Sequence, residues 1–403
     1  MVAGRPAAAN SVLTHEQIVD FLWDTGIKKV LLEKYPGTTE DQLRQAHAYA
    51  YGGCLIQDLG YYPSGNKFFS DLVHYVRTGT FVSELVTQAH DVNELAFALG
   101  ALSHYAADTT AHPSVNRAVA LVFPKLRAKY GDQVTYENDP KAHIRTEFGF
   151  DVSQVAQQHY TSEGYHDFIG FQVSKELLER AFLSTYGLRL NEIFPDVDLT
   201  IGTYRRTVSK WIPRLTQVAL ITKKKDLKAQ PNFNPKRFRY MLSRTKFEQE
   251  YGKKYVRTGR MARFLAFLVK LLPKFGALRT LDVKVPTAET ERIYIKSVEE
   301  TVDAYRALLR EAGGQQFTLP DRDLDTNKPT QAGEYKLCDE AYARLLKQLA
   351  KDNFAQTTPA LRANILDYYG DLSRPIDTKN DPDEWKELLG FLEKLQKQIP
   401  VAP

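Results

Sequence analysis

Cysteine is scarce in this chain: Cys54 and Cys338 are the only two in 403 residues, too far apart in sequence to suggest a disulfide framework or a zinc knuckle. Long apolar runs are missing as well. No stretch reaches the run of about 18 apolar residues that a membrane-crossing helix requires, which excludes that kind of span. The alternating patterns that mark half-buried strands are nearly absent, and no internal repeat of fixed period is evident. With 43% hydrophobic and 26% charged residues, the composition is that of a globular chain and excludes disordered and fibrous classes. The length suffices for one large or two moderate domains. The expected fold class is all-α.

Histidine is also absent from Asp167 to Pro403. The nine histidines fall at positions 15, 47, 74, 90, 104, 112, 143, 159 and 166, all in the first two fifths of the chain. Surface histidines would scatter over the length, whereas a site assembled from several segments of one domain produces this distribution.

What is present is organised around Ala98 to Pro113. The stretch reads as an apolar helix with His104, Asp108 and His112 at i, i+4 and i+8, which places three metal-type ligands along one side over about two turns. Burying two imidazoles and a carboxylate costs several kcal/mol unless partners compensate, and a divalent cation is a partner that all three can share. A core histidine salt-bridged to Asp108 is the alternative for any one of them alone.

Along the chain, Thr14-His15-Glu16-Gln17 reads as a capping box with Thr14 as N-cap, putting His15 in the first turn of a helix. Thr39-Glu40-Asp41-Gln42 repeats the cap for a helix running toward Tyr51, with Gly52-Gly53 as its break. Asp58 follows in a loop, where a carboxylate is usually a solvated cap. Phe68 to Arg77 reads as a helix bearing His74. His143 and Glu147 form a second i, i+4 pair, which on its own fits a solvent-facing ion pair. Helical periodicity continues over 166–185 and 198–221. Tyr61, Tyr62, Phe68 and Phe69 flank the Asp58 to His74 segment, either as core aromatics or as the lining of a lipid entrance.

The composition shifts near Thr222. Lys223 to Lys284 holds 18 Lys plus Arg against 4 Asp plus Glu, a local net of +14, which against the chain's net +5 leaves −9 elsewhere. Within it, residues 257–275 form a basic amphipathic pattern that either lies on an anionic membrane surface or packs as a core helix with a wet basic face. Residues 289–312, 334–354, 359–372 and 381–398 then read as helices. The expected division is 10–221 for the site-bearing domain, 222–286 for the basic segment and 287–403 for a helical carboxy-terminal region. Residues 1–9 end in Ala7-Ala8-Ala9, a cleavage-like motif without the apolar core of a signal. They are either ordinary sequence or the tail of a signal peptide, and the second reading makes the protein secreted or periplasmic.

The ordered set His15, Asp58, His74, His104-x3-Asp108, His112 and His143-x3-Glu147 resembles the zinc-dependent phospholipase C family. That superfamily also holds the P1-type nucleases and the amino-terminal domain of glycosylphosphatidylinositol phospholipase D. The resemblance covers roughly residues 10 to 220, and the four-residue step from Asp108 to His112 is nearer the phospholipase D-like branch. It implies an all-α domain with zinc, two to three ions per chain. One ion would be held by Asp58, His74, His104 and Asp108, and a second by His112, His143 and Glu147. The third would use His15, a bridging Asp108 and the mature amino terminus, here Asn10 where the family usually has tryptophan. Asp58 is the family's general-base candidate. The resemblance further implies hydrolysis of a phospholipid head-group ester by a metal-activated water. A P1-like nuclease is the second reading and a metal-stabilised, non-catalytic membrane-surface protein the third; nucleic acid is the less favoured partner.

Overall fold

The computed structural model describes residues 12–157, 171–228, 283–314 and 316–397. Asn10, the expected signal remnant and the basic amphipathic stretch 257–275 lie outside them. The all-α expectation holds: the described residues contain seventeen α-helices and no sheet, with one isolated bridge between Arg322 and Pro329. None of these helices is long and apolar enough to cross a membrane.

In chain order the helices are α1 (Val12–Leu22), α2 (Lys28–Lys34), α3 (Glu40–Gly53), α4 (Lys67–Tyr75), α5 (Thr78–Thr87), α6 (Val92–Val122), α7 (Pro124–Tyr130), α8 (Pro140–Gln157), α9 (Lys175–Tyr186), α10 (Leu190–Ile193), α11 (Val197–Arg206), α12 (Ile212–Thr222) and α13 (Lys224–Leu227). After the second gap come α14 (Ala288–Ala312), α15 (Lys336–Ala350), α16 (Pro359–Tyr368) and α17 (Pro382–Lys397).

The 31-residue α6 is the axis of the assembly. Asp91 caps it, its carboxylate accepting the backbone N–H groups of Asn93 and Glu94 at 2.8 Å. Every residue from Leu95 to Thr109 is buried, as a helix that is apolar nearly all round must be. Helices α1, α3, α5, α8 and α14 pack against it. Pro113 does not end it; the helix continues to Val122.

Helix α3 ends at Gly52-Gly53 as expected, but the pair does more than stop it. Both residues are helical and close α3 against its neighbours. A Cβ on Gly53 would lie 1.9 Å from the Phe97 carbonyl oxygen, and one on Gly100 would lie 2.1 Å from that of Ala50. The missing side chains let α3 and α6 cross backbone to backbone. That crossing sets the carbonyl of Cys54, the residue after α3, against α6.

The capping box at Thr39 is present, with Thr39 accepting from the Gln42 N–H at 3.3 Å and Gln42 accepting from the Thr39 N–H at 2.8 Å. The one at Thr14 is not, because α1 is already helical at Val12. Its hydroxyl donates instead to Asp151 at 2.8 Å and meets the Tyr294 hydroxyl at 2.6 Å. Asp58 lies in a turn of 3-10 helix, Ile56–Tyr61, rather than a loop, and is fully buried.

One hydrophobic cluster runs from Val12 through α6 to Leu395, so the helices after residue 287 share a core with those before residue 221. Three of the four flanking aromatics belong to it. Phe69 packs on Phe182 and Phe194, Tyr62 on Tyr204, and Phe68 is 1% exposed. Tyr61 alone turns toward the histidines, its ring 5.9 Å from that of His74.

Candidate metal centre

All eight residues singled out by type and spacing come together, although they arrive on five elements. Helix α6 contributes His104, Asp108 and His112 from one face. The 3-10 turn supplies Asp58, α4 supplies His74, α1 supplies His15, and α8 supplies His143 and Glu147. Each is buried, none more than 6% exposed.

Asp108 is the hub. One of its oxygens lies 3.6 Å from His15 Nε2 and 3.7 Å from His112 Nε2; the other lies 3.1 Å from His104 Nε2 and 3.6 Å from His74 Nε2. Asp58 stands 3.6 Å from His74 Nε2, and the two Nε2 atoms of His74 and His104 are 3.4 Å apart. Across α6, Glu147 Oε1 is 3.5 Å from His112 Nε2 and 3.3 Å from His143 Nδ1. Two compact donor groups result, His15 with His104 and Asp108, and Asp58 with His74 and His104. His112 and His143 both face Glu147.

The outer nitrogens decide what the inner ones can do. His74 Nδ1 donates to the Ser70 carbonyl at 2.8 Å, His104 Nδ1 to Cys54 at 2.9 Å and His112 Nδ1 to Leu324 at 2.8 Å. His143 Nε2 donates to the Asn116 side-chain oxygen at 2.9 Å. A carbonyl oxygen only accepts, so each of these rings carries its proton on the outer nitrogen and, when neutral, turns a lone pair inward. Those lone pairs face carboxylate oxygens. Acceptor facing acceptor in a buried site demands a cation between them. Histidines held this way through the far nitrogen are the usual supports of metal ligands.

The spacing fits such a cation. Tetrahedral zinc with ligands at about 2.0–2.2 Å places neighbouring ligand atoms roughly 3.4 Å apart, and the separations here cluster around that value. His15 Nδ1, His143 Nδ1 and Glu147 Oε2 are buried and have no hydrogen-bond partner among the described residues. The donor set of imidazole and carboxylate suits zinc.

With protons as the only cations, the cluster polarises sharply. Burial opposes the His104 imidazolium, yet the Asp108 carboxylate, its hydrogen bond and Asp58 push that pKa up to about 9. His112 is likewise raised by Asp108 and Glu147 against its burial. His15 goes the other way, lowered to about 3 by burial and by the facing His104, on which its ring stacks at 4.3 Å. Burial lifts Asp58 to about 6, although His104 and His74 pull it down. Glu147 falls to about 2, because His143 and His112 outweigh its burial.

Residues 14–195 match the family model described as zinc dependent phospholipase C. That region is similar to the family. The match takes in a little under half the chain and contains all eight clustered residues. Zinc and hydrolysis are therefore the family's chemistry, and the buried donor groups agree with it. Comparison with curated proteins and with solved structures gave no match.

Three supporting residues are missed by the sequence reading. Asn116 extends the ladder of 104, 108 and 112 by one more turn of the same helix face, so periodicity alone offered a signal for it. Leu324 and Asp325 lie beyond the matched residues 14–195, and nothing local to them marks them out. Of the other histidines, His47 pairs with Asp20 at 3.2 Å and stacks on Trp23, and His90 is exposed. His159 and His166 lie outside the described residues.

Proposed function

We propose that this chain is a zinc-dependent phosphodiesterase of the phospholipase C type, acting on the head-group ester of phospholipids. The observation that carries the reading is the inward lone pairs of His74, His104, His112 and His143 converging on Asp58, Asp108 and Glu147, within a region of the matching family. Asp58, His74, His104 and Asp108 are the proposed ligands of one ion, and His112, His143 and Glu147 of a second. His15 and Asp108, with the amine and carbonyl of Asn10 if it is the mature first residue, are the proposed ligands of a third.

Zinc bound there supplies Lewis acidity that makes water a nucleophile near neutral pH and neutralises charge on a phosphoryl group. Asp58 is the proposed general base. The carbonyls of Ser70, Cys54 and Leu324 keep the three imidazoles in the tautomer that offers Nε2 inward. Tyr61 and Tyr136, whose rings lie 6.3 Å apart, stand beside His74 and His143 respectively. The basic pattern of 257–275 is proposed to meet anionic lipid, and the protein to act after secretion.

The test is elemental analysis of the tag-free protein together with release of phosphocholine from phosphatidylcholine, run beside digestion of single-stranded DNA. Two to three zinc ions per chain and lipid cleavage are expected. Cleavage of DNA alone assigns the chain to nuclease chemistry, and a metal-free, inactive protein overturns the reading.

A further inference from the structure

We propose that the segment Leu319–Tyr335, outside the matched residues 14–195, holds one half of the metal centre in place, with Asp325 on the segment and Asn116 on α6 as the positioning residues. The inference rests on the metal reading above and extends it to a part of the chain beyond the family region.

The chain reaches the centre at three points in two consecutive residues. The Leu324 N–H donates to the carbonyl of His74 at 3.1 Å, and the Leu324 carbonyl accepts from His112 Nδ1 at 2.8 Å. The Asp325 carbonyl accepts from the Asn116 side-chain amide at 2.8 Å. That bond turns the Asn116 oxygen toward His143 Nε2, 2.9 Å away. The orientation of both histidines that share Glu147 therefore passes through this segment. An amide flipped at Asn116 would present N–H to N–H and release His143.

Asp325 adds charge to position. It is 3% exposed, and its Oδ1 stands 3.6 Å from His112 Nδ1. Its Oδ2 accepts from the hydroxyls of Tyr75 at 2.9 Å and Tyr335 at 2.6 Å. Burial and the nearby carboxylate keep both phenols protonated, so they stay donors. With Asp58, Asp108 and Glu147 it makes four buried carboxylates around the imidazoles. The Nδ1 proton of His112 goes to the Leu324 carbonyl, so Asp325 acts on that ring through its charge and through the two tyrosines that anchor the segment; losing a group that orients a ligating histidine typically costs about 10–100-fold in metal affinity.

The experiment uses the full chain as parent, Asp325→Asn, Asn116→Ala and Tyr335→Phe. For each, zinc dissociation constants are measured ion by ion in competition with a chelator. The visible spectrum is recorded after substitution with cobalt(II), and folding is followed by circular dichroism. Asp325→Asn and Asn116→Ala are expected to weaken one ion by about 10–100-fold, leave the others unchanged and shift the cobalt absorption. Tyr335→Phe, which keeps the ring and removes one bond to Asp325, should act on the same ion by a smaller factor, and it decides the matter if the other two do not fold. Folded variants with the parent's ion affinities and cobalt spectrum overturn the inference even if they have lost stability. A parent that binds neither zinc nor cobalt overturns the metal reading and this inference with it, whereas a parent that binds beside unaffected variants overturns this inference alone.

Discussion

The carbonyl oxygen of Leu324 lies 2.8 Å from Nδ1 of His112, across 212 positions of sequence. A buried N–H and a buried C=O have satisfied each other there, and in doing so they leave His112 Nε2 aimed at Asp108 and Glu147. The same device recurs at His74 and His104 with acceptors close by in the fold, so it is a property of the whole cluster and not of one residue.

Replacing Asp58 by Asn keeps the shape of the side chain and removes its capacity to accept a proton. Phosphodiesterase kcat should fall by roughly 10²–10⁴-fold, the contribution typical of a general base. Folding, read by circular dichroism, should persist, and zinc should drop by at most the ion that Asp58 shares with His74 and His104. Retention of full activity would remove Asp58 from the chemistry.

Zinc affinity should depend on pH in a defined direction. Without metal, the His104 pKa is raised to about 9, so the ion shared by Asp58, His74 and His104 must displace a proton below that pH. Affinity for that ion should therefore rise with pH up to about 9 and flatten beyond it. Below about 6 the Asp58 proton must be displaced as well, and the dependence should steepen. Calorimetric titration in buffers of different ionisation enthalpy reads the released protons. A flat affinity between pH 6 and 9 would contradict the proton inventory.

Gly100→Val should loosen both the fold and the site. A Cβ there meets the Ala50 carbonyl at 2.1 Å and the Cys54 nitrogen at 2.9 Å, so α3 must back away from α6. Overpacking of this kind costs about 1–3 kcal/mol or more, measurable by urea unfolding. Because Cys54 holds His104, zinc affinity should weaken in the same variant. Gly202→Ala, with no atom near the added Cβ, should be close to neutral for both.

Asp151→Ala should act on His15 at a distance. The Asp151 carboxylate accepts the backbone N–H groups of Leu13 and Thr14 at 3.1 and 3.2 Å, as well as the Thr14 hydroxyl, and so anchors the start of α1 against α8. Removing it strands buried donors at a cost of about 1–3 kcal/mol. Of the bound ions, the one nearest His15 should be lost first during dialysis against chelator, and equal loss of all ions would argue against this anchoring.

Much of the centre is legible in the amino-acid sequence, for a local reason. Helical periodicity fixes which side chains share a face, so His104, Asp108 and His112, and separately His143 and Glu147, are marked by steps of four residues. The confinement of histidine to the first two fifths of the chain points to one assembled site. Where local signals compete, the tertiary context prevails. Thr14 gives up its cap for Asp151, and Gly52-Gly53, which reads as punctuation, becomes the surface that lets two helices touch.

The chain by itself determined its helical class, the order of its candidate ligands and the spacing that brings five of them into one helical triplet and one pair, because all of these follow from residue type and helical pitch. Only the tertiary structure decided that His15, Asp58 and His74 meet them, that Asn116 turns His143, and that Leu324 and Asp325 close the far side. Those contacts depend on which helices pack together, and a backbone carbonyl carries no mark in the sequence of the donor it will meet.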